Sequence, residues 1–482
     1  RSDTRMAEAS FWDPFGILGA FFGPDQDIPS HVQAAGSRMV TDGNESAKPR
    51  KKKLYFGGES MVPDDYVPPP PTHPIVFDGK IKGRELHVRN FYRHFACYSP
   101  SVLNDTIVDR LETLGEYKKP AWYNGVLASC TPTLVEHDVE YDREALDDDD
   151  GGVICIDWAH PSRHDETTPI VLIFPGLAGH SGKDYIRSVA KKVVTSLGWR
   201  VCVLNWRGFN SPLASAKVFR PDDISDMETV INVAGSRYPV AQLYGVGFSA
   251  GSNQLVKYLG KSKKFSRLCA AVSVCNGFEY SSHLNRLEAS SMGKGFYSRG
   301  MTFLHQVRTE LWSCLPPPCG VLISSSRFWV QEYLKKHGKD LEKKVPGFDL
   351  NRALAATSHS DLDEALVQSL YGYEEISDYY EAVASRPYIP SVEVPLLCIQ
   401  AADDPLFTEG EEPSKCWETL PVDELHDNTN IVYFETELGS HLNFVEANRP
   451  EGVIRADFSF SDRAIATFFD TIKDQAPRRI MF

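Results

Sequence analysis

Cysteine is scarce in this chain: ten among 482 residues, far below the density at which disulfides replace a hydrophobic core in small secreted domains. Cys202, Cys269, Cys275 and Cys398 sit in or beside apolar runs, where a free thiol behaves as a small buried hydrophobe. A reduced, intracellular location is therefore expected, cytoplasmic or membrane-associated. Cys314 and Cys319 have no second pair and no histidine at zinc spacing, so no metal is expected there. Positive charge is also in deficit: 51 Lys and Arg stand against 65 Asp and Glu, a formal charge of −14. That balance excludes wholesale nucleic-acid binding, because phosphate contacts need a basic surface. Long apolar runs are missing too; none reaches the ~18 residues of a spanning helix. No internal repeat stands out. What remains is a chain with 42% apolar and 24% charged residues, enough to bury a sizeable core.

The chain opens on Arg1 rather than Met, so a missing leader carries no weight. Phe11 to Phe22 is apolar and aromatic, yet it is short for a span and contains Asp13 and Pro14. It reads as a truncated anchor, an interfacial segment or a peptide packed on the domain. Lys48 to Lys53 is a basic cluster in an acidic protein, read as a solvated linker, a lipid-surface contact or an import signal. Pro63 and then Pro68 to Pro71 make a stiff connector. Residues 1–75 are therefore expected to form a tail, with peripheral membrane contact through it as a partner expectation, and the folded unit is expected to start near Ile75.

From residue 126 onward, short apolar runs alternate with helical segments, the pattern of a mostly parallel sheet with helices on both faces. Val153 to Trp158 reads as an early strand, entered through an acidic loop, Asp147 to Asp150, that is expected to be exposed. Ile170 to Phe174 and Val201 to Leu204 read as central buried strands. Between them, Asp184 to Leu197 has helical apolar spacing closed by Gly198. A helix over 224–237 precedes a strand over 242–246, and further strands are expected at 270–275, 395–400 and 430–434. Between Cys275 and Val394 the pattern is helical, as at 328–335 and 362–370, with no comparable strand run. The expected organisation is thus a core first part over 76–275, a helical cap insertion over 276–392 and a core second part over 393–482.

Directly after the strand at 242–246 comes Gly247-Phe248-Ser249-Ala250-Gly251, followed by a helix. In G-x-S-x-G the serine occupies a strained strand-to-helix turn, and the glycines relieve crowding around it. The turn lifts the hydroxyl clear of the backbone and leaves the Ala250 amide, at the positive end of the next helix, aimed at an oxyanion position. A serine hydroxyl needs a histidine to take its proton and an acid to orient that histidine, and in this fold the chain order is Ser, acid, His. Ala402-Asp403-Asp404-Pro405 follows one late strand and Gly439-Ser440-His441 follows the next, both at strand C-terminal ends where α/β folds keep their sites. His441 is the expected base and Asp403 the favoured acid, with Asp404 the neighbouring alternative. The second oxyanion donor is expected in Pro175-Gly176-Leu177-Ala178-Gly179-His180, at the Leu177 amide, with Ala178 competing; His180 reads as structural or exposed.

The series Gly152 to Trp158, Pro175-Gly176-Leu177, Asn205-Trp206-Arg207-Gly208, Tyr238-Pro239 ahead of the serine motif, Asp378-Tyr379-Tyr380, Ala402 to Pro405 and Gly439-Ser440-His441 resembles the YheT-like subgroup of α/β-hydrolase-fold proteins. That subgroup includes α/β-hydrolase-domain acylglycerol and phospholipid lipases and fungal medium-chain ester synthase/esterases. The resemblance runs from about Pro120 to Phe469. Two positions depart from the subgroup's usual pattern, Ala250-Gly251-Ser252 and Ser440, and neither removes a catalytic atom. The resemblance implies a serine ester hydrolase without a cofactor, acting on lipid-type acyl esters bound under the cap and releasing the acyl group to water or to an alcohol. The alternative from another class is a non-catalytic lipid-binding or receptor protein on the same fold. A peptidase or thioesterase would use the same acyl-transfer machinery.

Overall fold

The computed structural model describes residues 87–91, 94–121, 123, 137–279, 326–356, 359–404, 420–450, 452 and 456–475, all within one compact unit of residues 67–482. The expected tail over 1–75, with Phe11 to Phe22 and Lys48 to Lys53, lies outside the described residues, as do Cys314 and Cys319.

Ten strands form one sheet: β1 (His87–Phe91), β2 (His94–Tyr98), β3 (Asp142–Asp147), β4 (Val153–Ala159), β5 (Ile170–Phe174), β6 (Arg200–Asn205), β7 (Leu243–Phe248), β8 (Leu268–Val274), β9 (Leu396–Ala401) and β10 (Ile431–Thr436). Their order is β1-β2-β10-β9-β8-β7-β5-β6-β4-β3. The central strands β6, β5, β7, β8, β9 and β10 run parallel to one another. β1, β2, β4 and β3 complete the two edges by antiparallel pairing. The expected mostly parallel sheet is what the chain forms.

The helices among the described residues are α1 (Val102–Glu112), α2 (Asp184–Lys192), α3 (Ser225–Arg237), α4 (Ala250–Ser262), α5 (Ser326–Lys344), α6 (Leu350–Ala355), α7 (His359–Leu366), α8 (Ile376–Val383), α9 (Val422–Asp427) and α10 (Phe460–Gln475). Successive strand side chains point to opposite faces, so each central strand feeds two cores. Val171, Ile173, Val201, Val203 and Val246 pack with α1, α2 and α10. Ile170, Leu172, Phe174, Cys202 and Leu204 pack with α3, α4 and α9 on the other face. Burial on both faces explains why these strands are continuous apolar runs rather than alternating ones. A π-helical turn over Val193–Leu197 extends α2 and ends at Gly198, whose φ of 66° is the left-handed cap that glycine adopts without penalty.

No strand interrupts the described residues between β8 and β9. There α5, α6 and α7 share a small core of their own, which also takes Val218. The chain then returns onto α4: Asn253 Nδ2 donates to Val383 O at 2.6 Å, and Lys257 Nζ donates to Ala382 O and, at 2.9 Å, to Asp222 O. The carbonyls of Ala382 and Val383 belong to the C-terminal turn of α8, where a cation is favoured by the helix dipole. Burial brings the Lys257 ammonium down to about 8.

The acidic loop before β4 is exposed as expected at Asp147, Asp149 and Asp150, with Asp148 half-buried. From this surface Asp148 and Asp150 reach Arg207, which is 2% exposed at its side chain and also binds Asp226. A buried guanidinium must be matched by acceptors, and this loop supplies them. Gly152 leaves room beside it, since an added Cβ would stand 2.1 Å from Arg207 Nη1 and would have to displace the guanidinium.

Glu435 on β10 is buried with Tyr433 OH donating to it at 2.5 Å. Burial, opposed by that bond, pushes its carboxyl up to about 7. A raised acid binds its proton more tightly folded than unfolded, so its contribution to stability is lost as pH rises through about 7. Glu435→Gln is expected to be more stable than wild type above that pH, by at most about 3 kcal/mol. The two should converge near pH 5, as read by urea unfolding across pH.

Candidate active site

The serine motif sits where β7 passes into α4. Ser249 has φ 50° and ψ −117°, a conformation side chains seldom adopt. Its amide donates to Val274 O on β8 at 2.9 Å, while its carbonyl accepts from the amides of Ser252 and Asn253 at 3.0 and 3.1 Å. Both glycines are imposed by crowding. A Cβ on Gly247 would lie 2.5 Å from Ser252 Cα, and one on Gly251 would lie 2.2 Å from Phe174 O.

His441 follows β10 and completes a line of contacts. Its Nε2 is 3.0 Å from Ser249 Oγ, and its Nδ1 is 2.7 Å from Asp404 Oδ2. The first distance is within reach for proton transfer. Asp404 has no exposed side-chain surface, and His441 is 16% exposed.

This corrects the expected acid: the residue against His441 is Asp404, not Asp403. Both follow β9, but consecutive residues in the turn point different ways. Asp403 Oδ1 instead accepts from the Ser440 amide at 2.8 Å, and Oδ2 from Tyr123 OH at 2.6 Å. Burial, opposed by the Tyr123 and Ser440 bonds and reinforced by Asp404, pushes the Asp403 carboxyl up to about 6. Tyr123 was not among the expected site residues. It lies 280 positions before Asp403, and a lone tyrosine in a loop gives no pattern to read.

The loop after β5 abuts the serine from the other side. A methyl on Gly176 would lie 3.1 Å from Ser249 Cβ. Trp206 Nε1 donates to Pro175 O at 3.0 Å, and Tyr185 OH accepts from the Gly176 amide at 3.2 Å. Farther along, Asp157 accepts from Ser181 Oγ and, at 2.9 Å, from Asn205 Nδ2; Asn205 Oδ1 accepts from the Ser181 amide at 3.0 Å. Arg143 closes this network on Asp157 with two bonds of 2.7 Å. The amides of Leu177 and Ala250 have no hydrogen-bond partner among the described residues. Ala178, the competing donor, has φ 58°. His180 turns back on its own loop, accepting from the Gly182 amide at 3.1 Å, and burial beside Lys183 and Arg143 lowers it to about 4.

Ligand atoms of Cys275, Asp404 and His441 lie within 4.8 Å of one another. The 2.7 Å contact between His441 Nδ1 and Asp404 Oδ2 is shorter than the ~3.3 Å separating two ligands of one tetrahedral ion. The arrangement is that of a shared proton.

The α/β-hydrolase-fold family model matches residues 169–422, just over half of the chain. The chain belongs to the α/β-hydrolase family. Among curated relatives of this hydrolase, human phospholipase ABHD3 is 27% identical over 336 residues, covering 68% of this chain and 72% of the relative. Monoacylglycerol lipase of Saccharomyces cerevisiae is 25% identical over 283 residues, 58% of this chain and 56% of that protein. Human monoacylglycerol lipase ABHD2 is 28% identical over 281 residues, 58% of this chain and 60% of it. The match thus spans about three-fifths of each of the two monoacylglycerol lipases. No helix among the described residues is long and apolar enough to cross a membrane.

Proposed function

We propose that this α/β-hydrolase is a serine carboxylic-ester hydrolase acting on lipid-type acyl esters. The observation that carries the reading is the unbroken line from Ser249 Oγ through His441 to buried Asp404, at 3.0 and 2.7 Å. In this reading Ser249 Oγ attacks the ester carbonyl while His441 Nε2 takes its proton. Asp404 holds Nδ1–H, fixing the tautomer and stabilising the imidazolium. The amides of Leu177 and Ala250 receive the developing oxyanion, the second with the N-terminal dipole of α4 behind it. His441 then returns the proton to the leaving alcohol, and water or another alcohol releases the acyl group from Ser249 by the same steps reversed.

The lipid-type substrate is supported by the named activities of the relatives, a phospholipase and monoacylglycerol lipases. The helical insertion between β8 and β9 is the segment we assign as the cap over the acyl chain, and the N-terminal tail is the segment we assign to the lipid surface. A fluorophosphonate probe should label wild type and fail to label Ser249→Ala. Acylglycerol and phospholipid esters of increasing chain length, with and without an alcohol acceptor, then define the substrate. Equal labelling of the two proteins overturns the reading.

A further inference from the structure

We propose that Asp403 and Tyr123 form a positioning pair that holds the His441 loop in register with Ser249, a role that rests on reading His441 as the general base. Three bonds define it. Ser440 N donates to Asp403 Oδ1 at 2.8 Å. Tyr123 OH donates to Asp403 Oδ2 at 2.6 Å and accepts from Gly439 N at 2.9 Å. The two amides that immediately precede His441 are therefore tied, one directly and one through a phenol, to a single carboxylate.

The loop needs such a tie because its backbone is strained. Ser440, Leu442 and Phe444 have φ values of 51°, 73° and 40°, and non-glycine residues stay in that region only where their surroundings force them to. Other contacts close the loop on itself: Thr436 Oγ1 donates to Leu438 O at 2.6 Å, and Phe444 N donates to Gly439 O at 2.8 Å. Those bonds fix its shape. Only the Asp403–Tyr123 pair, among the described residues, fixes the amides of Gly439 and Ser440 to the end of β9, where Asp404 stands.

Charge is part of the device. An ionised carboxylate offers acceptor sites on both oxygens, whereas a protonated acid or an amide offers a donor on one side. With the phenol and an amide both donating, only the anion satisfies both. The titratable groups acting on Asp403 among the described residues are Tyr123 and the adjacent Asp404, with Tyr117 edge-on behind Tyr123 and His441 next in the chain to the tied Ser440. Burial raises the carboxyl to about 6, so the tie loosens on acidification in the range where an esterase is readily assayed.

The test is the pH dependence of ester kinetics for wild type, Asp403→Asn and Tyr123→Phe, with thermal melts confirming that each is folded. Misplacing a reacting group by about 1 Å costs on the order of 100-fold. We expect kcat to fall about 10- to 100-fold in Asp403→Asn and about tenfold in Tyr123→Phe, with KM within about twofold. The acid limb of kcat should be steeper in wild type, where protonation of Asp403 adds to the loss, than in Asp403→Asn. Folded variants with wild-type kcat and an unchanged acid limb overturn the proposal, as does a loss of melting temperature without any change in the limb. Should Asp403→Asn not fold, Tyr123→Phe decides by the same two readouts. Failure of wild type itself to turn over any ester or to label with a fluorophosphonate would instead mark the failure of the esterase reading.

Discussion

Asp404→Asn is expected to lower kcat by about 10³–10⁴ with the fold intact, a far larger loss than Asp403→Asn. The reason lies in which atom faces the ring. Asp404 Oδ2 accepts from His441 Nδ1 at 2.7 Å, and this bond keeps the proton on Nδ1 so that Nε2 is free to accept from Ser249 Oγ at 3.0 Å. An asparagine amide in the same place presents a nitrogen donor to Nδ1. The ring then adopts the other tautomer, with Nε2 already protonated and unable to act as base. Asp404 has no exposed side-chain surface, so water has no route to substitute for the missing acceptor. Asp403→Asn leaves the Nδ1 partner in place and disturbs only the loop that carries the ring. Ester kinetics normalised by active-site titration give the order of the two variants. The opposite order would restore Asp403 as the acid and refute the geometry.

That adjacent pair also shows where the sequence stopped being legible. The parallel strands could be read because burial on both faces makes them continuous apolar runs, as in Ile170–Phe174 and Leu396–Ala401. Ser249 and His441 could be read because strand-end position and chain order constrain them. Which of two neighbouring aspartates meets the histidine depends on how one turn is anchored, and the anchor, Tyr123, is 280 residues away in the chain. The edge strands were hidden for a related reason. β3 reads Asp-Arg-Glu-Ala-Leu-Asp, with most of its side chains toward solvent, and polar alternation of that kind is weak evidence for a strand. β2 pairs with β10, a partner more than 300 residues on, so nothing local announces it. Long-range polar contacts thus account for the misplaced acid, the unforeseen tyrosine and the hold of the acidic loop on Arg207.

The Arg207 cluster leads to the second large effect, on stability: Arg207→Met is expected to destabilise the fold by about 3 kcal/mol. The guanidinium is 2% exposed at its side chain and holds three carboxylates. Asp226 binds it through two bonds of 2.8 and 2.9 Å, Asp150 through two of 3.1 and 3.0 Å, and Asp148 through one of 2.5 Å. Burial works against the charge, yet these bonds hold the guanidinium well above the ordinary arginine value. Methionine fills much of the volume but leaves three acids facing one another, with Lys217 Nζ at 3.0 Å from Asp226 as the nearest remaining cation. Asp226, 11% exposed at its side chain, loses its fork, while Asp148 and Asp150 keep access to water, so the loss falls mainly on Asp226 and should exceed that of a surface ion pair. Arg207→Lys should recover little, because a single ammonium cannot satisfy carboxylates arranged around a planar fork. Arg207 is also joined in sequence to Trp206, whose indole holds Pro175 O at 3.0 Å. Loosening this corner therefore reaches the loop that carries Leu177. Arg207→Met should accordingly melt several degrees lower and also show a reduced kcat at temperatures where it remains folded. Unchanged melting would mean that the three aspartates find water or other partners, and that Arg207 is not what closes this edge of the sheet.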